Sequence, residues 1–246
     1  MIRWSPRPGG RVLMALAVTV ALLTCFETPA SAVTVPPAPP NGACYHYTIK
    51  AVPRPSNNSA RVACSAKHTA LTIAVGALPQ DTVYDQLLAS AAAPQPVQRA
   101  CLPAFHRQLG STLLKAGRSI YDWDFFYPTE AQWAAGARWF RCDVIKPSTP
   151  TLLTPLPKGH KRFLRNGLTK ATRMCLGAQG AKACSLNPPW VQAGARLVQV
   201  AKSKLDAKAN RICRAKVRRG AAYGYTWRKM TTQTPPRYAI VCFRRR

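Results

Sequence analysis

The chain has 246 residues, with 36 Lys/Arg against 8 Asp/Glu and a formal net charge of +28. No stretch beyond the N-terminal region is apolar for long enough to span a bilayer. The excess of positive charge points to anionic partners.

Arg3, Arg7 and Arg11 precede an apolar run from Val12 to Phe26, and Ala30-Ser31-Ala32 follows it. This predicts a signal peptide over 1–32, cleaved before Val33, and hence export. Lipid attachment at Cys25 is the rival reading, although Thr24 stands where a smaller residue is usual; an uncleaved anchor is another. Residues 33–43, with Pro36, Pro37, Pro39 and Pro40, read as an extended linker.

The remaining eight cysteines are Cys44, Cys64, Cys101, Cys142, Cys175, Cys184, Cys213 and Cys242. An even number in an exported chain predicts four disulfides, and repetition in the sequence suggests their order. Arg61-Val-Ala-Cys64-Ser65 is echoed by Ala181-Lys-Ala-Cys184-Ser185, Arg99-Ala-Cys101 by Arg211-Ile-Cys213, and Tyr121-Asp-Trp123 by Tyr225-Thr-Trp227. Each half reads as a Cys-to-Cys hairpin, a strand, a helix and two more strands. In the first half the strand is Ala70 to Gly76. The helix places Val97, Cys101, Phe105 and Leu109 on one face and stops at Gly110. The closing strand, Trp139 to Ile145, alternates Phe140, Cys142 and Val144 with Trp139, Arg141 and Asp143. The second half offers a strand from Trp190 to Val200, a helix near Ser203 to Lys216 with Leu205, Ala209 and Ile212 aligned, and a closing strand from Tyr238 to Phe243. The predicted bridges are Cys44–Cys64, Cys101–Cys142, Cys175–Cys184 and Cys213–Cys242. The fold class is α+β: two small disulfide-stapled repeats, each a short antiparallel sheet with one main helix. The first domain spans 44–145 and the second, divergent and basic, spans 175–246. Residues 146–174 read as a linker, Pro-rich and then basic.

Charge is divided unevenly. Residues 33–157 carry eleven Lys/Arg and six Asp/Glu, whereas residues 158–246 carry twenty-two Lys/Arg and only Asp206. Cations interleave with aromatics near the C-terminus, a pattern suited to polyanions. The candidate polyanion-binding set is Lys158, Lys161, Arg162, Arg165, Arg218, Arg219, Tyr225, Trp227, Arg228, Lys229 and Arg237. The plainer alternative is that alternate aromatics belong to the core of two strands.

Three segments carry a family likeness: Arg61-Val-Ala-Cys64-Ser-Ala-Lys-His68, Ala100-Cys101-Leu-Pro-Ala-Phe105-His-Arg-Gln-Leu-Gly110, and Pro128-Thr-Glu-Ala-Gln-Trp133-Ala-Ala-Gly136-Ala-Arg138 running into Cys142. Through them the chain resembles the actinobacterial septum-formation-related domain family. The resemblance implies an exported or envelope-attached protein linked to septum formation, and no established enzymatic activity.

Other chemistry is weakly supported. Cys64-x3-His68 and Cys101-x4-His106 could hold zinc, but exported cysteines at such spacings favour disulfides, and the second half lacks both histidines. Asp122, Asp124 and Glu130 could serve a hydrolase pair or a cation site, with a solvated acidic edge as the plainer reading. No nucleophile elbow, phosphate loop or free catalytic thiol is present. The expectation is therefore a secreted or extracytoplasmic, envelope-associated, non-enzymatic binding or scaffold protein without a cofactor. Its expected partner is an anionic cell-wall polymer or anionic membrane surface, with division or envelope proteins as further partners. The rivals are an extracytoplasmic wall hydrolase and an extracellular nucleic-acid-binding protein.

Overall fold

The structure, a computed structural model, describes residues 34–90, 92–159 and 162–246. The expected signal peptide and its cleavage site lie outside the described residues, as does Lys161.

The first half contains β1 (Cys44–Tyr45), β2 (Arg61–Val62), β3 (Ala70–Ala77), α1 (Tyr84–Ala89), α2 (Gln95–Leu109), α3 (Leu113–Gly117), β4 (Asp122–Phe126), α4 (Glu130–Ala134) and β5 (Trp139–Ile145). A small hairpin follows, β6 (Pro147–Thr149) and β7 (Leu152–Leu153). The second half contains β8 (Met174–Gly177), β9 (Gly180–Ala183), β10 (Trp190–Gln199), α5 (Leu205–Lys216), β11 (Tyr223–Lys229) and β12 (Arg237–Arg245).

The helices form where apolar spacing and end signals agree. Val97, Cys101, Phe105 and Leu109 are buried along α2, and Gly110 closes it at φ 62°, ψ 41°, a left-handed conformation that glycine adopts without a Cβ clash. In α5, Leu205, Ala209, Ile212 and Cys213 turn inward. Gly117, at the end of α3, lets that helix approach β12: a Cβ there would lie 2.2 Å from the Ala239 methyl.

Each half builds one five-stranded antiparallel sheet, ordered β2-β1-β3-β5-β4 in the first and β9-β8-β10-β12-β11 in the second. Strand by strand the two orders correspond. Each sheet also carries a bulge in its longest pairing, between Thr72 and Ala74 on β3 and between Gln192 and Gly194 on β10. The residues after these bulges, Ala74 and Gly194, face Cys142 and Cys242. All four expected disulfides form, and none crosses between halves: Cys44–Cys64, Cys101–Cys142, Cys175–Cys184 and Cys213–Cys242.

Both faces of the first sheet are covered. Phe140 and Cys142 pack toward α2, while Tyr45, Tyr47, Phe126, Ile145 and Leu153 form a second layer on the opposite face. All seven residues of β5 are consequently buried, including Arg141 and Asp143. The second sheet packs Tyr238, Ile240 and Cys242 against α5 and turns Met230 and Ala239 toward Leu102, Phe105 and Leu109 of α2. Residues 34–246 thus share one core. The segment 146–174, whose prolines and cations suggest an exposed linker, contributes Leu153, Leu156 and Leu164 to buried clusters.

Candidate anion-binding face

Burying one side of α5 turns its cations outward. With Leu205, Ala209 and Ile212 held against β12 and Cys213 bonded to Cys242, residues Lys204, Arg211, Arg214 and Lys216 are exposed. The chain then turns at Gly220, leaving Arg218 and Arg219 exposed beside the helix end. Ala207, Asn210, Arg211, Arg214 and Ala215 line a shallow hollow of about 440 Å³ on this outer face. The Tyr223 hydroxyl donates to Asn210 Oδ1 and fixes that amide. The one acid of the second half, Asp206, accepts a hydrogen bond from Trp227 Nε1 at 3.0 Å. Among the described residues the ion pairs are Arg141–Asp143 and Arg228–Asp122, so no carboxylate neutralises the α5 cations. Lys204, Arg211, Arg214 and Lys216 were not singled out by the sequence reading. For Lys204, Arg211 and Arg214 the signal is their spacing opposite Leu205, Ala209 and Ile212; Lys216 falls on the buried stripe at the last turn, where its stem lies along Gly194 and the residue stays exposed.

The expected polyanion set is distributed over several elements. Arg218, Arg219 and Arg237 are exposed on the second half. Trp227 is 37% exposed and meets Tyr238 edge-on at 5.7 Å, whereas Tyr225 packs partly into the core beneath α5. Arg228 and Lys229 reach into the first half. Arg228 donates to the Tyr121 carbonyl at 2.6 Å and pairs with Asp122 at 3.4 Å, and Lys229 donates to Gln98 Oε1 at 2.7 Å. Lys158, Arg162 and Arg165 are exposed on the connecting segment. Arg162 lies over Gly110 at the end of α2, and with Arg165, Phe163 and Asn166 it borders a cavity of about 700 Å³.

The acidic candidates separate as well. Glu130 is exposed in the first turn of α4, and Asp122 is engaged by Arg228. Asp124 is largely buried directly across the ladder from Asp143, and its Oδ2 has no hydrogen-bond partner. Burial, reinforced by the charges of Asp143 and Asp122, pushes its carboxyl up to about 8. Asp143 is fully buried and accepts from Thr72 Oγ1 at 2.7 Å and Tyr47 Oη at 3.2 Å, with Arg141 Nε 3.3 Å away. Burial raises its pKa as well, against the opposing pull of Arg141 and these two hydroxyls. The Arg141 guanidinium lies 4.0 Å from the Tyr45 ring centre and 5.0 Å from that of Phe126. This polar layer was not legible as a unit in the sequence.

The two histidines are placed by backbone contacts. His68 Nδ1 lies 2.9 Å from the Ala66 carbonyl oxygen, and His106 Nε2 lies 2.9 Å from that of Met230. Cys64 and Cys101, the other members of the conceivable zinc set, are held in disulfides.

A family model described as septum formation matches residues 41–208, from the lead into β1 to the first turn of α5. No curated protein and no solved structure matched the chain.

Proposed function

Because this chain belongs to the septum formation family, and its role is accordingly related to septum formation, we propose that it acts as a non-enzymatic binding or scaffold protein of the cell envelope. The basic face of its second half would hold an anionic wall polymer or an anionic membrane surface. The carrying observation is the row of exposed cations on and after α5: Lys204, Arg211, Arg214, Lys216, Arg218 and Arg219, whose one nearby acid is engaged by Trp227. Uncompensated cations on one surface repel one another and attract a polymer of opposite sign. Four disulfides point to an oxidising, extracytoplasmic compartment. No helix among the described residues is long and apolar enough to cross a membrane. The matching strand orders support reading the halves as diverged repeats, the second of which carries most of the charge.

The test titrates the full mature chain with teichoic-acid polymer, anionic vesicles and single-stranded DNA at several salt concentrations. Neutralised phosphates release counterions, so affinity for the preferred partner falls steeply as salt rises. Binding indifferent to salt contradicts the reading. Tightest binding to DNA transfers it to an extracellular nucleic-acid binder.

A further inference from the structure

The seam between the halves holds two arginines without an acid. Arg118 caps α3, and Arg173 leads into β8. Their backbones are laced together: Ser119 and Arg173 form an antiparallel bridge, Met174 N donates to the Arg118 carbonyl at 3.0 Å, and Ile120 N donates to the Thr172 carbonyl at 2.8 Å. Gln192, at the bulge of β10, completes the frame. Its amide nitrogen donates to the Arg118 and Met174 carbonyls at 2.8 and 2.7 Å, and its Oε1 accepts from Arg118 Nε at 2.9 Å. The Arg118 guanidinium is thereby oriented, while its two terminal nitrogens have no partner among the described residues. The whole Arg173 guanidinium lacks one too, and its Nε is buried.

Such a pair is costly as it stands. Both side chains are half-buried, and neither meets a carboxylate among the described residues. Burial, and then the neighbouring charge of Arg173, depress the pKa of Arg118. The buried Arg173 Nε without an acceptor is destabilising, and the charge of Arg173 acting on Arg118 adds to the penalty. An anion with several oxygens removes both costs, because each guanidinium presents a planar fork of donors suited to oxyanions. Two cations match a dianion best, and the remaining exposure of both side chains leaves a small ion a path from solvent.

We propose that Arg118 and Arg173, with Gln192 orienting the first, clamp a phosphate-class dianion at the seam between the two sheets. The site is separate from the α5 face and does not depend on the polymer-binding reading. A free phosphate and a terminal phosphate monoester share the required chemistry, whereas a diester within a polymer carries one charge and fits less well.

The experiment measures thermal unfolding and arginine side-chain ¹⁵N resonances of the full mature chain at constant ionic strength. Inorganic phosphate, glycerol 1-phosphate or dimethyl phosphate is exchanged for chloride. Phosphate is expected to raise the melting temperature saturably and to move the Arg173 Nε–H resonance. Glycerol 1-phosphate acting as well as phosphate assigns the site to monoester ends; phosphate acting alone assigns it to the free ion. Arg173→Met and Arg118→Met are each expected to weaken phosphate binding by about tenfold or more. Arg173→Met is also expected to melt higher than the parent in chloride, because the repulsion is gone. Arg218→Gln with Arg219→Gln, in the other basic region, retains the full phosphate response. The same phosphate increment in the parent and both Met variants overturns the proposal. An Arg173 resonance that phosphate leaves unmoved does so too, independently of how the variants fold.

Discussion

Asp124 on β4 stands directly across the ladder from Asp143 on β5, and the two carboxyls lie in a layer largely closed to water. Only Asp143 has a cationic partner at contact distance, Arg141 Nε at 3.3 Å, together with two hydroxyl donors. The cheaper arrangement keeps the proton on Asp124, whose Oδ2 has no partner.

This arrangement fixes the sign of a pH effect. The Asp124 carboxyl is raised from 3.8 to about 8 in the folded chain. Between those values the folded state holds a proton that the unfolded state has released, so stability from this group falls as pH rises. Its contribution is complete below about pH 4 and lost above about pH 8. Asp124→Asn should flatten the melting-temperature profile across this window and stabilise the chain most at its alkaline end. Melting curves of the parent and variant from pH 4 to 9 check this; parallel profiles would refute it.

The ion pair predicts asymmetric costs. Asp143→Ala leaves Arg141, 2% exposed, as an unpaired buried charge and should cost roughly 3–5 kcal/mol. Thr72→Val removes a single donor to the same carboxylate and should cost about 1–3 kcal/mol. Urea unfolding measures both, and the account requires the first loss to be clearly the larger.

The disulfides should rank by the loop they close. Cys101–Cys142 spans 41 residues in sequence and Cys175–Cys184 spans 9. In the chain-entropy description they contribute about 4 and about 2.7 kcal/mol respectively. Paired Cys→Ala variants, unfolded in urea, should lose stability in that order.

Much of this fold was legible in the chain. The i, i+4 spacing of Val97, Cys101, Phe105 and Leu109 with Gly110 marked α2, and the repeated cysteine order identified all four bridges. The polar layer was hidden because the alternation in β5 could not reveal that Tyr45, Tyr47 and Leu153 cover its second face. Arg228 and Lys229 read as free cations because their partners, Tyr121, Asp122 and Gln98, lie more than a hundred residues away. Lys204, Arg211 and Arg214 are the opposite case: their spacing opposite Leu205, Ala209 and Ile212 is present in the sequence, ahead of the denser mixture of cations and aromatics near the C-terminus.

Position therefore separates two roles among the basic residues. Arg228→Gln should weaken the joint between the halves, lowering the melting temperature while leaving polymer affinity nearly unchanged. Arg211→Gln with Arg214→Gln should do the reverse, since both side chains are exposed and unpaired among the described residues. Parallel melting and binding measurements on these variants check the division.

The most direct test of the central claim compares two variants of equal net charge in the full mature chain. One replaces Arg211, Arg214, Arg218 and Arg219 by Gln; the other replaces Lys50, Arg54, Arg61 and Lys67, exposed on the first half, in the same way. The quantity measured is affinity for teichoic-acid polymer as a function of salt. The account predicts that the first variant loses most of its low-salt affinity and that its slope of log affinity against log salt shrinks by about 3. It predicts that the second variant stays close to the parent. Equal losses in both variants would contradict it, because affinity would then follow total charge rather than the face that α5 presents.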